Sequence, residues 1–192
     1  MPQWTRTLFP LDGWPVPIVV VITQFAASLI VNFLSYSKLS AIYPLFKIRT
    51  LERNGEIYQE LFNVKSWKEH IPSIGAFDKK TLTKEKLTAE YVSQYLLEGL
   101  RAELCHLISI ILSMAVLLVS IPKTWSFILG YSALLNLPCI IIQRYNRPRF
   151  ERILAAKNEN GQIGITVFWI KDDGKAYTSR EEKRMRRKAR HS

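Results

Sequence analysis

Charge is missing from three long stretches of this chain, and each absence is informative. The stretches are Val16–Leu34, Cys105–Ile121, whose only ionisable groups are Cys105 and His106, and Thr124–Ile142. Each is about 17–19 residues long, the length a helix needs to cross a bilayer core. One such run is compatible with a buried helix of a soluble protein; three in 192 residues argue against a soluble fold. Cysteine is scarce too. Two cysteines, Cys105 and Cys139, both at ends of apolar runs, exclude a disulfide framework and give no metal-ligand spacing. The three histidines, His70, His106 and His191, lie far apart, so the sequence predicts no metal site. The motif GxSxG is absent, and no histidine is followed five positions on by aspartate. There is no internal repeat. The first run has only Arg6 as a basic flank and no small-residue cleavage pattern behind it, so it reads as a retained anchor and not a secretory signal.

What is present is positive charge, unevenly spread. The formal charge is +11, from 27 Lys+Arg against 16 Asp+Glu. Residues 1–15 hold Arg6 and Asp12; residues 35–104 hold 11 basic and 9 acidic groups; Lys123 lies between the second and third runs; residues 143–192 hold 14 basic and 6 acidic groups. With long apolar runs beside it, this charge points to an anionic membrane leaflet and not to nucleic acid. The excess of Lys and Arg puts the 35–104 segment and the C-terminus in the cytoplasm, with the N-terminus and the Pro122–Lys123 turn outside. The fold class predicted is therefore an all-α membrane protein with about three transmembrane helices and a cytoplasmic amphipathic helical segment. That segment, EIYQELFNVKSWKEH after the Asn54–Gly55 turn, mixes apolar and charged positions and suits the interface plane. A second helical pattern starts near Thr83, a capping residue with Glu85 in the first turn, and leads into the second span. Beyond position 150, GITVFWIKDDGKAYT alternates around a turn and predicts a short β-hairpin. The basic C-terminal tail then opens on Ser179 and Glu182 at capping-box spacing. The division expected is a membrane domain over 1–150 and a basic cytoplasmic tail over 151–192.

Polar residues inside the apolar runs recur at helical spacing. Gln24, Ser28 and Asn32 mark the first; Glu103, His106, Ser113 and Ser120 the second and its lead-in; Ser132, Asn136 and Gln143 the third. Such stripes face other helices in lipid. A helical rise of 1.5 Å per residue gives about 22 Å for His106–Ile121 and about 27 Å for Trp125–Gln143. An antiparallel hairpin would then bring His106 and Arg144 to similar depth near the cytoplasmic surface. Histidine titrates near neutrality, and Glu103 at i−3 can orient it, so His106 is a candidate general base with Glu103 as its partner; a hydrogen-bonded structural pair at a helix mouth is the alternative. The string IIIQRYNRPRF sets three arginines at the edge of an oily run. Pro148 pushes its predecessor away from helical geometry, so the helix is expected to fray near Asn146. Arg144, Arg147 and Arg149 would then surround an anion, with Gln143 and Asn146 beside them. Snorkelling to lipid headgroups is the alternative. Trp67 reads as an interface anchor and Lys68 as a further anion contact. Asn136 and Pro138 weaken the third helix, either to shape a pocket or to bend it for packing.

RAELCH (Arg101–His106), NLPCIIIQRYNRPR (Asn136–Arg149) and the Trp67–Lys68 pair resemble the glycosyl-diaponeurosporenoate acyltransferase family, over roughly Phe46 to Arg149. These are small bacterial membrane enzymes of staphyloxanthin-type carotenoid synthesis. The resemblance implies an enzyme that moves a fatty acyl group onto a sugar hydroxyl of a glycosylated carotenoid or similar glycolipid, at the bacterial cell membrane. The tail beyond Phe150 departs from the compact members. In such a scheme His106 and Glu103 are catalytic. Arg144, Arg147, Arg149, Trp67 and Lys68 meet a phosphate-bearing acyl donor, while Gln143, Asn146 or Asn136 binds the oxyanion. The donor, acyl-CoA being one that fits, is a co-substrate; no cofactor and no metal are implied. Membrane lipids and an apolar glycosylated acceptor are the partners, and self-association would help a thin three-span bundle enclose them. The alternative is a non-catalytic lipid-binding or scaffold subunit.

Overall fold

A computed structural model of the chain describes residues 13–71 and 89–157. These residues form helices and turns, with no β-strand among them. The hairpin expected over GITVFWIKDDGKAYT, the basic helix after it and the Thr83 cap lie outside the described residues. Six α-helices follow in order: α1 (Pro15–Asn32), α2 (Tyr36–Ile42), α3 (Glu56–Phe62), α4 (Val64–Trp67), α5 (Ala89–Val119) and α6 (Pro122–Lys157). Two 3-10 turns, Tyr43–Phe46 and Thr50–Gly55, join α2 to α3. Three helices, α1, α5 and α6, are long and apolar enough to cross a membrane.

The described residues fall into two compact units. One takes 13–33 and 102–140, the other 34–71, 89–101 and 141–157. The first is the apolar unit. Proline at the first position of α1 costs nothing there, because its missing N–H has no helical acceptor. Val16 and Val20 of α1 pack with Val116 of α5 and Ile128 of α6 as its core. The turn between α5 and α6 is short: Thr124 Oγ1 donates to the Ile121 carbonyl at 2.8 Å and Trp125 Nε1 to the Ser120 carbonyl at 3.3 Å. Pro122, expected in the turn, is instead the first residue of α6.

The second unit is polar and strapped by side chains. Ser35 caps α2, accepting from the Lys38 amide at 3.4 Å, and so separates α2 from α1, which ends at Asn32 and not at Leu34. Asn54 and Gly55 do form a turn, both with positive φ, as does Arg53. The helical stretch after it is interrupted at Asn63 (φ 45), which divides it into α3 and α4.

Both long helices outrun their apolar stretches. At 31 and 36 residues they are about 46 and 54 Å long, well beyond a bilayer core. The fraying expected near Asn146 does not occur: α6 continues through Pro148 to Lys157. A proline inside a helix costs about 3 kcal/mol and leaves the carbonyl four residues back without its helical donor. Here that carbonyl belongs to Arg144, and the second unit packs tightly against it. Gly55 lies so close that a Cβ would stand 3.1 Å from the Tyr145 carbonyl oxygen and 3.4 Å from that of Arg144. The side-chain contacts made on either side of Pro148 offset its cost. Pro138 likewise leaves α6 unbroken.

Candidate functional site

In the apolar unit the polar stripes meet in part: Gln24 reaches Ser113 and His106 reaches Asn136, while Ser120 donates to the Leu117 carbonyl of its own segment and Gln143 belongs to the other unit. Ser109, Ser113, Ser132 and Asn136 are buried among apolar neighbours. Gln24 Nε2 reaches Ser113 Oγ at 3.4 Å, and Thr23 Oγ1 lies 3.5 Å from the same oxygen. Asn32 is exposed and stands apart from the seam; Thr23, overlooked in the sequence because a threonine hydroxyl so often serves its own helix, joins it, although it also donates to the Val20 carbonyl at 2.7 Å.

His106 and Asn136 form the centre of this seam. His106 Nδ1 lies 2.9 Å from Asn136 Oδ1, and Asn136 Nδ2 donates to the Ser132 carbonyl at 2.8 Å. The second contact decides the first. A carbonyl can only accept, so the amide must turn its nitrogen toward Ser132 and its oxygen toward the imidazole. Asn136 Oδ1 then needs a hydrogen from Nδ1, and a neutral His106 must carry its proton there, leaving the Nε2 lone pair free to take a proton. Glu103, expected to orient the ring, is buried at 2 % exposure one turn away on α5. The residue whose contact fixes the ring is Asn136, read from sequence as an oxyanion donor or a helix-weakening residue. Its spacing of 30 residues from His106 hid that partnership.

The second unit holds the arginine cluster. Arg144 pairs with Glu52 through Nη2 and, at 2.9 Å, through Nε; its Nη1 lies 3.5 Å from the Phe46 carbonyl. Arg147, 3 % exposed, donates to the same carbonyl and stacks over the Tyr43 ring at 5.5 Å. Tyr43 in turn donates to Glu151 at 2.7 Å. Glu52 also accepts from the Arg49 amide at 3.3 Å and from Tyr58 at 3.0 Å. Burial alone would raise the Glu52 carboxyl; the bonds from Arg144, the Arg49 amide and Tyr58 outweigh it and hold it below the ordinary carboxylate range. Burial and the nearby Glu52 push the Tyr58 hydroxyl up. Arg144 and Arg147 thus bind the 43–58 segment onto α6. Glu52 went unread in the sequence, where it was one of nine acidic residues in a charged stretch.

Arg149 and Lys68 meet elsewhere, at Tyr145. The Arg149 guanidinium lies 4.3 Å from the centre of that ring and donates to its hydroxyl at 2.5 Å; Lys68 Nζ lies 5.4 Å from the same centre. Trp67 is turned to its own segment, donating to the Phe62 carbonyl at 2.7 Å. Gln143 and Asn146 line a small cleft with Tyr95, Gly99, Arg147 and Phe150. The Tyr95 and Phe150 rings stand 4.1 Å apart, and a Cβ on Gly99 would fall 2.9 Å from Gln143 Oε1.

Comparison with known proteins gives this arrangement a context. The model of a family described as glycosyl-4,4'-diaponeurosporenoate acyltransferase matches residues 42–156, which include every residue of the two sites above except those of the α1 seam. A protein of that name from Staphylococcus haemolyticus (strain JCSC1435) is 37% identical over 110 residues, 55% of this chain and 63% of the relative. Proteins of the same name from Staphylococcus aureus strains USA300 and NCTC 8325 / PS 47 are each 29% identical over 126 residues, 62% of this chain and 74% of the relative. The match to the S. haemolyticus protein thus spans just under two thirds of that protein's length. No solved structure matches the chain. With the matched region covering more than half of its length, the chain belongs to the glycosyl-4,4'-diaponeurosporenoate acyltransferase family.

Proposed function

We propose that the chain is a membrane-bound acyltransferase that moves a fatty acyl group onto a sugar hydroxyl of a glycosylated carotenoid or similar glycolipid. Family membership and the names of the relatives support the reaction class. The observation that carries the chemistry is the His106–Asn136 pair, an imidazole whose tautomer is set by an amide that is itself held by a backbone carbonyl. His106 Nε2 removes the proton of the acceptor hydroxyl as the oxygen attacks the acyl carbonyl carbon. Collapse of the tetrahedral species breaks the bond to the leaving group, which takes the proton from the imidazolium. Nδ1–H stays on Asn136 throughout, and Glu103 stabilises the cation from its buried position. The donor is a phosphate-bearing acyl carrier: acyl-CoA, an acyl-carrier protein or a phospholipid.

Purified full-length chain, an acyl-CoA donor and a glycosylated carotenoid acceptor form the test. His106→Ala should lower transfer by at least about 100-fold with folding retained. Asn136→Ala should cost about tenfold or more in kcat and displace the pH profile, because the ring loses its tautomer control. Near-normal turnover in the His106 variant would remove the base and favour a lipid-binding scaffold instead. Lipid profiling of a deletion strain would show which glycolipid loses its acyl chain.

The charge distribution supports an N-terminus outside the cell membrane and a cytoplasmic 35–104 segment and C-terminus. Leu45, Leu51, Leu61 and Phe62 are exposed in that segment beside exposed Lys47, Arg49 and Lys65, the composition of a segment that rests in a headgroup region. Impermeant thiol labelling of cysteines introduced at positions 51 and 123 should modify the two from opposite sides of the membrane; labelling of both from one side would overturn this topology.

A further inference from the structure

The cleft between α5 and α6 in the polar unit holds two amides that the fold itself does not use. Gln143, Asn146 and Phe150 recur at i, i+3 and i+7 on α6, and Tyr95 and Gly99 at i and i+4 on α5, so each helix turns one face to it. The Tyr95 and Phe150 rings, 4.1 Å apart, form an apolar wall. The Gln143 and Asn146 side chains are half-buried, and neither has a hydrogen-bond partner among the described residues. Arg147 also borders the cleft, but its guanidinium is committed to the Phe46 carbonyl and the Tyr43 ring. The groups on offer are therefore neutral. Each amide has an oxygen that accepts and a nitrogen that donates, and a hydroxyl answers both through one atom, whereas an ionised phosphate or carboxylate oxygen only accepts. The cleft is also narrow, with room for about one water-sized group, so it admits a hydroxyl and neither a whole sugar ring nor an acyl chain. Gly99 maintains that room. A Cβ there would fall 2.9 Å from Gln143 Oε1 and force the amide aside. Glycine inside a helix is destabilising relative to alanine, and here the missing side chain is what leaves Gln143 its place.

We propose that this cleft reads one hydroxyl of the acceptor's sugar, which enters between the Gln143 and Asn146 amides while the sugar's C–H face rests at the mouth beside Tyr95 and Phe150. That the hydroxyl belongs to a sugar rests on the transferase reading; the pairing of the two amides with a hydroxyl does not. The test is binding of octyl glucoside and its monodeoxy analogues, below their micellar threshold, to the full-length chain in phosphatidylcholine nanodiscs, with protein-free discs subtracted. Removing one particular hydroxyl should weaken binding about tenfold, and removing the others should do little. Gln143→Met and Asn146→Leu keep the shapes of the side chains and lose their hydrogen bonds, so in each variant that selectivity should vanish. Gly99→Ala should act in the same way with no fall in melting temperature, because the displaced atom ends a flexible side chain. Equal affinity for every monodeoxy analogue in the parent would overturn the proposal and leave the cleft to water alone. Selectivity that persists in all three variants, or no binding above that of protein-free discs, would overturn it as well. Acyl transfer by Gln143→Met at the parent's KM for the acceptor would defeat the cleft and leave the transferase standing. Hydroxyl-selective binding in a protein that transfers no acyl group would sustain the cleft and defeat the transferase reading alone.

Discussion

The apolar unit and the polar unit are held together by different means. In the first, a valine-lined core and a thin seam in which Gln24 meets Ser113 and His106 meets Asn136 join three helices. In the second, guanidiniums and carboxylates do the fastening: Arg144 to Glu52, Arg147 to the Phe46 carbonyl, Arg101 Nη1 to the Leu34 carbonyl at 2.9 Å, Tyr36 to Glu98 at 2.6 Å. The contrast follows from the surroundings each composition suits. A charge in a hydrocarbon-bathed helix is expensive, so neutral amides and hydroxyls supply the specificity there. Where water is at hand to solvate the unfolded chain, charged pairs can be used, and each becomes costly to break from one side only.

That contrast can be broken from the polar side first. Arg144→Ala strands Glu52 beside Tyr58 and should lower stability by about 3 kcal/mol in denaturant titration of the purified chain, a value moderated by the 13% exposure of the carboxylate. Gly55→Ala combines a positive φ with a Cβ pressed on the Tyr145 carbonyl, and should cost about 2 kcal/mol, read as a lower melting temperature. Acid should act on the same unit. Because the Glu52 carboxyl is held below its unfolded value, its contribution is complete above the ordinary carboxylate pKa and is lost as pH falls through the depressed one. The parent should therefore destabilise steadily below about pH 4.5, and Glu52→Gln should flatten that slope while being less stable at neutral pH. The smallest effect belongs to the apolar unit. Ser113→Ala removes the hydroxyl that accepts from Gln24 and lies against Thr23 Oγ1, and should cost about 0.6 kcal/mol, with no dependence on pH or salt. A larger loss there than for Arg144 would reverse the comparison.

The sequence was readable where one physical rule acts alone. Uncharged runs of bilayer length mark α1, α5 and α6, and the Asn54–Gly55 pair marks its turn, because hydropathy and backbone freedom are local properties. Helix ends were not. Apolar character stops at Ile142, yet ERILAAK goes on forming helix, since helix propensity is indifferent to oiliness. Pro148 misled for the opposite reason: its local cost is real, but contacts from residues about a hundred positions away outweigh it. His106, Lys68 and Arg149 stand as candidates by residue type and place. That Asn136 holds the imidazole and that Glu52 occupies Arg144 could not be read this way, because each depends on which of several similar residues the fold brings near.

The Phe46 carbonyl, which receives hydrogen bonds from two arginines, has a consequence for genetics. Its oxygen belongs to the main chain, so no coding change at position 46 deletes it. Saturation mutagenesis would register strong intolerance at Arg144 and Arg147 and comparative silence at their common acceptor. Exposing that hidden half calls for chemistry outside the genetic code: an amide-to-ester swap at the following residue, which dulls the carbonyl while leaving every side chain in place.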